Sequence, residues 1–120
     1  MASEAGCLFC SIAAAEPKPP LLHEDGLVLA FDIPDGHEEK RAPVHFLVIP
    51  REHIRSANEA EPRHEQTLGR MVTVAARIAR EKGVAQSGYR LVANTGPDAN
   101  QTVFHLHLHC LGGTKLPRTS

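Results

Sequence analysis

Apolar positions along the chain repeat in two rhythms. In EQTLGRMVTVAARIAREKG, residues 65–83, Leu68, Met71, Val72, Ala75, Ala76, Ile78 and Ala79 recur at helical spacing, which predicts an amphipathic helix. Arg77, Arg80 and Lys82 suit its C-terminal end, where the backbone dipole is negative, and Gly83 suits a left-handed cap. The other rhythm is short and extended. VHFLVIP, residues 44–50, is rich in branched and aromatic side chains and reads as a buried strand ended by Pro50. LLHEDGLVLAFDIP, residues 21–34, reads as two strands turned at Asp25-Gly26. GYRLVANTG, residues 88–96, is a strand ending at Asn94 and Gly96, and PDANQ, residues 97–101, is a turn. CLFCSIAAAE, residues 7–16, predicts a short helix closed by PKPP at 17–20. DGHEEKRAP, residues 35–43, is charged and reads as a solvated loop.

The last strand is expected from Val103 to Leu111, before Gly112-Gly113. Strand side chains alternate between faces. Phe104, Leu106, Leu108 and Cys110 would enter a core, while His105, His107 and His109 would line the other face about 7 Å apart. The whole pattern predicts an α+β domain: five strands in an antiparallel sheet, with one long and one short helix packed on it.

At 120 residues the chain suits one domain with a modest core. The core is expected over about residues 7–113, with 1–6 and 114–120 as flexible tails. A net charge of −1 offers no basic surface for nucleic acid, and no apolar run is long enough to span a membrane. MASEAGCLFC lacks the basic start and long apolar stretch of a secretory signal, and three cysteines are too few for a secreted disulfide framework. The expectation is a soluble, cytoplasmic protein. His23, His37 and His64 carry no motif and read as surface residues.

A single histidine on a sheet face is usually a solvated or hydrogen-bonded residue, but three in strict alternation call for chemistry. Imidazole serves two kinds: it ligates zinc, and it attacks and transfers protons near neutral pH. Cys7 and Cys10 form a Cys-x-x-Cys pair, which in a cytosolic chain reads as half a metal site or a redox pair. Cys110 alternates to the apolar side and reads as core.

The run HLHLHCL resembles the signature of the histidine triad (HIT) family. CLFCSI, LAFDI, APVHFLVIPREHI, YRLVANTG and NQTVFHLHLHCLGG stand in that family's order along nearly the whole chain. The Leu-Gly-Gly that follows resembles the Hint branch, the purine nucleoside phosphoramidases, more than the dinucleoside-polyphosphate hydrolases. The resemblance implies a homodimer with the sheet continued across the interface. It implies hydrolysis of nucleoside 5′-phosphoramidates, with a purine nucleotide such as AMP or GMP as ligand. His107 would attack the α-phosphate to give a nucleotidyl-histidine, His109 would contact the phosphate, and His105 and His45 would orient the nucleophile. Phe9, Ile12, Phe31 and Ile33 would form the purine slot, Asp32 would accept the ribose hydroxyls, and Asn94, Gln101, Thr102 and Val103 would line the phosphate. Relatives that keep the cysteine pair imply a structural zinc on Cys7, Cys10, His53 and His105.

Three features depart from that pattern. The link over residues 34–43 is long, Asn100 stands where glycine is usual, and the C-terminal tail lacks tryptophan. Diadenosine polyphosphate hydrolysis and a non-catalytic nucleotide-binding module are the alternative readings.

Overall fold

The computed structural model describes Glu4, residues 6–15 and residues 19–118. The first half of the expected PKPP turn and the extreme ends of both expected tails lie outside the described residues. Five strands form one sheet, every neighbouring pair antiparallel: β1 (His23–Glu24), β2 (Val28–Asp32), β3 (Val44–Pro50), β4 (Tyr89–Val92) and β5 (Leu108–Gly112), in the spatial order β1-β2-β3-β5-β4. The helices are α1 (Leu8–Ala14) and α2 (Glu65–Glu81). The expected α+β class, with one short and one long helix, is what folds. No helix among the described residues is long and apolar enough to cross a membrane.

The turn between β1 and β2 is built by Asp25, whose carboxylate accepts from the backbone N–H groups of Leu27 (2.7 Å) and Val28 (2.9 Å). Strand alternation then sorts the sheet into two faces. Val28, Ala30, Phe46, Val48, Leu108 and Cys110 pack under α2, which buries Met71, Val74, Ala75, Ile78 and Ala79. The helical stripe is rotated slightly from the expected one: Val74 is buried and Val72 is exposed. On the opposite face Leu29, Leu47 and Ile49 pack against Phe9 and Ala13 of α1. Burying an aromatic such as Phe9 against this face is worth about 2–3 kcal/mol and anchors α1 to the sheet. That second face carries the site.

The last strand starts later than expected. β5 begins at Leu108, and Val103–His107 is irregular. The reason lies across the ladder. Leu108 pairs with Val48, so continuing the ladder would set Leu106 opposite Pro50, which has no N–H to donate. Leu106 N–H instead donates to Ile54 O at 2.6 Å. Leu106, Leu108 and Cys110 enter the α2 core as expected, but Phe104 does not; it lies half-buried beneath the Arg55 guanidinium, 4.4 Å from the ring centroid.

Two histidines read as surface residues are structural. His64 is buried, accepts from Glu61 N–H and donates to Glu52, so it closes the short turn before α2. His23 accepts from Arg77 of α2 through Nδ1 and donates to Asp25 through Nε2, tying the helix to the β1–β2 turn. Neither carries a sequence signal, because each role depends on a partner distant in the chain or on a local turn.

Candidate active site and metal-ligating cluster

Three imidazoles and a fourth from β3 meet on the face opposite α2. His45 is fully buried on β3, opposite Leu111 of β5. The His107 and His109 rings lie 4.9 Å apart, and those of His45 and His109 5.2 Å apart. The hydrogen bonds fix which nitrogens carry protons. Arg41 N–H donates to His45 Nδ1 (3.2 Å), so neutral His45 holds its proton on Nε2 and donates it to His109 Nδ1 (3.0 Å). His109 therefore presents Nε2–H as a donor. His107 donates Nδ1–H to the carbonyl of His105 (2.8 Å), which leaves its Nε2 lone pair free. Burial is the main force holding His107, His45 and His109 neutral; it pushes all three pKa values down. His109 reaches about 4, with His107, His45 and Arg41 also opposing a charge there. A free lone pair on a neutral, desolvated imidazole is a nucleophile, and a neighbouring N–H donor stabilises an anion.

An apolar wall stands beside the row. Phe9 meets Phe31 edge-on at 5.8 Å and His107 at 5.1 Å, and Ile12, Ile33 and Val103 pack against the same cluster. Thr102 is exposed beside it. Asn94 is half-buried two residues past Val92, which pairs with His109.

Two expected ligand residues are placed differently. Asp32 pairs with Phe46, whose side chain is under α2, and its carboxylate takes Lys82 at the end of α2 (3.0 Å). Alternation puts Phe31 and Ile33 toward the triad and Asp32 away from it, so the structure does not bring Asp32 to the site. Gln101 is 4 % exposed and its amide is spent on the backbone: Oε1 accepts from Gly96 N–H (2.8 Å), and Nε2 donates to Arg55 O (2.9 Å) and Val103 O (3.1 Å). It braces the loop that carries the triad and has no proton left for a phosphate. Asn100, in place of the usual glycine, adopts the left-handed conformation at φ 64° that asparagine tolerates better than most residues, so the turn keeps its shape.

Comparisons with known proteins show what the chain is similar to. Residues 6–117 match the family described as scavenger mRNA decapping enzyme C-term binding. The chain is 44 % identical over 110 residues to a protein named purine nucleoside phosphoramidase in Escherichia coli strain K12, covering 91 % of this chain and 88 % of that one. The chain belongs to the histidine triad family. A HIT family hydrolase from Clostridium thermocellum superposes with a TM-score of 0.88 at 38 % identity, covering 98 % of this chain and all of that one. One from Legionella pneumophila gives 0.86 at 35 %, covering 95 % and 98 %.

Within this triad protein the first histidine belongs to a second constellation. The ligating atoms of Cys7, Cys10, His53 and His105 all lie within 4.8 Å of one another. His105 Nδ1 is 3.3 Å from Cys7 Sγ and 3.4 Å from Cys10 Sγ, and His53 Nδ1 is 3.3 Å from Cys10 Sγ. Tetrahedral zinc with bonds of 2.0–2.3 Å sets its sulfur and nitrogen ligands about 3.6 Å apart, so the donor set fits. The remaining atoms are arranged to match. His105 Nε2–H donates to Pro50 O (2.8 Å) and His53 Nε2 meets Glu4 (3.0 Å), which turns both Nδ1 lone pairs inward. Cys10 N–H donates to Cys7 Sγ (3.3 Å). The cluster could hold a metal ion. The supporting carbonyl of Pro50, the Glu4 carboxylate and the Arg41 N–H were not foreseen, since only long-range geometry makes them partners. Cys110 is buried core, its thiol pushed up to about 11 by burial.

Proposed function

We propose that this triad protein hydrolyses the P–N bond of purine nucleoside 5′-phosphoramidates, with His107 as the nucleophile. The observation that carries the reading is the bond from His107 Nδ1–H to the His105 carbonyl, which aims a free Nε2 lone pair into the site. Nε2 attacks the α-phosphorus, while the His109 Nε2–H supported by His45 donates to a phosphoryl oxygen. The P–N bond breaks, and the nitrogen, protonated in the reacting phosphoramidate, leaves as the neutral amine. Water then attacks phosphorus, displaces His107 and yields the nucleoside monophosphate and a proton. The Phe9–Phe31 wall would take the base by stacking and burial. The name of the Escherichia coli relative supports the substrate class.

The ion in the thiol–imidazole cluster is, on this reading, a structural zinc. Cys7, Cys10, His53 and His105 would hold it, and when bound it would supply a cross-link between α1, the segment after β3 and the triad segment, with no open position for substrate. His105 would thereby position the carbonyl that orients His107. The protein is also proposed to be a homodimer that continues the sheet through β4, which lies at the sheet edge.

The test is AMP release from adenosine 5′-phosphoramidate and, separately, from a diadenosine polyphosphate. Faster release from the phosphoramidate, abolished in His107→Ala, is expected. Release mainly from the polyphosphate would assign the chain to the other branch. AMP binding with no release from either would leave a nucleotide-binding module.

A further inference from the structure

The long link between β2 and β3 is a solvated loop, as its sequence reads, with residues 34–39 and Arg41 exposed, and it is joined to the site at its C-terminal end. His37 N–H donates to Pro34 O (3.1 Å), Lys40 N–H to His37 O (3.0 Å), and Glu39 N–H to the His37 ring (3.1 Å). The Lys40 ammonium is taken by Asp35. The loop then returns to the catalytic row, where Arg41 N–H caps His45, the residue that orients His109. Arg41 is thus anchored through its backbone beside His45, at the His45–His109 end of the row.

The Arg41 guanidinium is not committed elsewhere. Its ion-pair partner is Glu39, 3.8 Å away, and both side chains are more than half exposed (68 % and 53 %), so the pair is weak and readily exchanged. Its charge nevertheless reaches the site: it is among the groups that oppose protonation of both His45 and His109. The row has two unlike ends. His105 closes one within the thiol cluster, 0 % exposed, and Phe9 packs edge-on against both His105 and His107. At the other end His109 is half-buried, and Arg41, whose N–H caps His45, is exposed. The leaving amine, in line with His107 Nε2 across phosphorus, departs toward solvent, and Arg41 is the side-chain cation whose charge reaches the His45–His109 end of the row.

We propose that Arg41 recognises an anionic group on the leaving amine, so that this chain favours phosphoramidates whose amine carries a carboxylate, as an amino acid does, over those of neutral amines. The inference rests on the phosphoramidase reading above. A guanidinium presents paired N–H donors that match a carboxylate, and a charge-assisted bond of this kind gives about a 10- to 100-fold preference.

The experiment compares kcat/KM on two AMP phosphoramidates of similar size, one from an amino acid and one from its neutral amide, for the wild type, Arg41→Ala, Arg41→Lys and Arg41→Glu. The wild type is expected to favour the carboxylate substrate, and Arg41→Ala to reduce that ratio about 10- to 100-fold. Arg41→Lys should keep part of the preference, and Arg41→Glu should reverse it. Equal loss on both substrates would mean that Arg41 acts on the transferred phosphoryl, and an unchanged ratio would mean that it touches neither; each overturns the proposal. The neutral-amide substrate separates this failure from that of the parent reading: if the wild type releases no AMP from either substrate, it is the phosphoramidase assignment that has fallen.

Discussion

Replacing Gln101 with alanine removes a buried amide that satisfies three backbone groups: Gly96 N–H, Arg55 O and Val103 O. A buried group that loses its partner costs about 1–3 kcal/mol, and Gln101 is 4 % exposed, so bulk water does not replace it freely. Water entering the vacated space would recover part of three such penalties, which leaves about 3 kcal/mol. Unfolding entropy near 2.1 cal/mol/K per residue gives about 0.25 kcal/mol/K for a chain of this length, so the expected fall in Tm is about 12 °C. Gln101→Glu should be as bad or worse, because a carboxylate would face two carbonyl oxygens. The assay is thermal and urea unfolding at fixed protein concentration and metal content, with kcat/KM measured well below Tm. Because the loop carries His105 and His107, kcat should fall with stability. An unchanged Tm with a raised KM for the nucleotide would refute the reasoning and restore Gln101 as a phosphate ligand.

Three further outcomes follow from the geometry. Asp32→Asn should change the nucleotide KM by less than about threefold, since Asp32 faces Lys82 under α2 and an exposed pair contributes little; a tenfold rise in KM would show that the carboxylate leaves Lys82 for the ribose. Purified protein should carry about one zinc per chain, and Cys10→Ser should lose it, lower Tm and slow catalysis, while His107→Ala keeps the metal; full activity in the metal-free Cys10→Ser variant would contradict the bracing role. His109 has a folded pKa of about 4 against about 6.5 unfolded, so the unfolded chain binds the extra proton between those values. Stability is therefore present above pH 6.5 and falls as pH drops toward 4, by up to about 1.4 kcal/mol per pH unit for this group; urea unfolding at pH 7, 6 and 5 should show the slope, shallower in His109→Gln.

Much of this was legible in the chain because it obeys short-range rules. The 65–83 helix, the Asp25-Gly26 turn and the strand content of 44–50 each depend on neighbours within a few residues; each element forms as read, with the helical stripe turned so that Val74 and not Val72 is buried. The Cys7–Cys10 pair was legible from its spacing and His53 and His105 only through the family resemblance; the structure brings the four into a cluster that could hold a metal ion. What the chain alone does not place is what depends on register. One residue decides whether Asp32 faces the triad or α2, and the motif LAFDI does not state which. The early end of the β3–β5 ladder depends on Pro50 lying opposite Leu106, a pairing that exists only after folding. Gln101 resembles a ligand in sequence and is a brace in space, because its three partners come from segments up to 46 residues away.

On the proposed reading His107 Nε2 forms a bond to phosphorus. The most direct measurement is acid-free rapid quenching of the wild type with adenosine 5′-phosphoramidate, followed by peptide mapping by mass spectrometry. One adenylyl group is expected on the peptide containing His107, absent in His107→Ala and chased away as AMP appears. An adduct on another residue, or steady AMP release by His107→Ala, would contradict it.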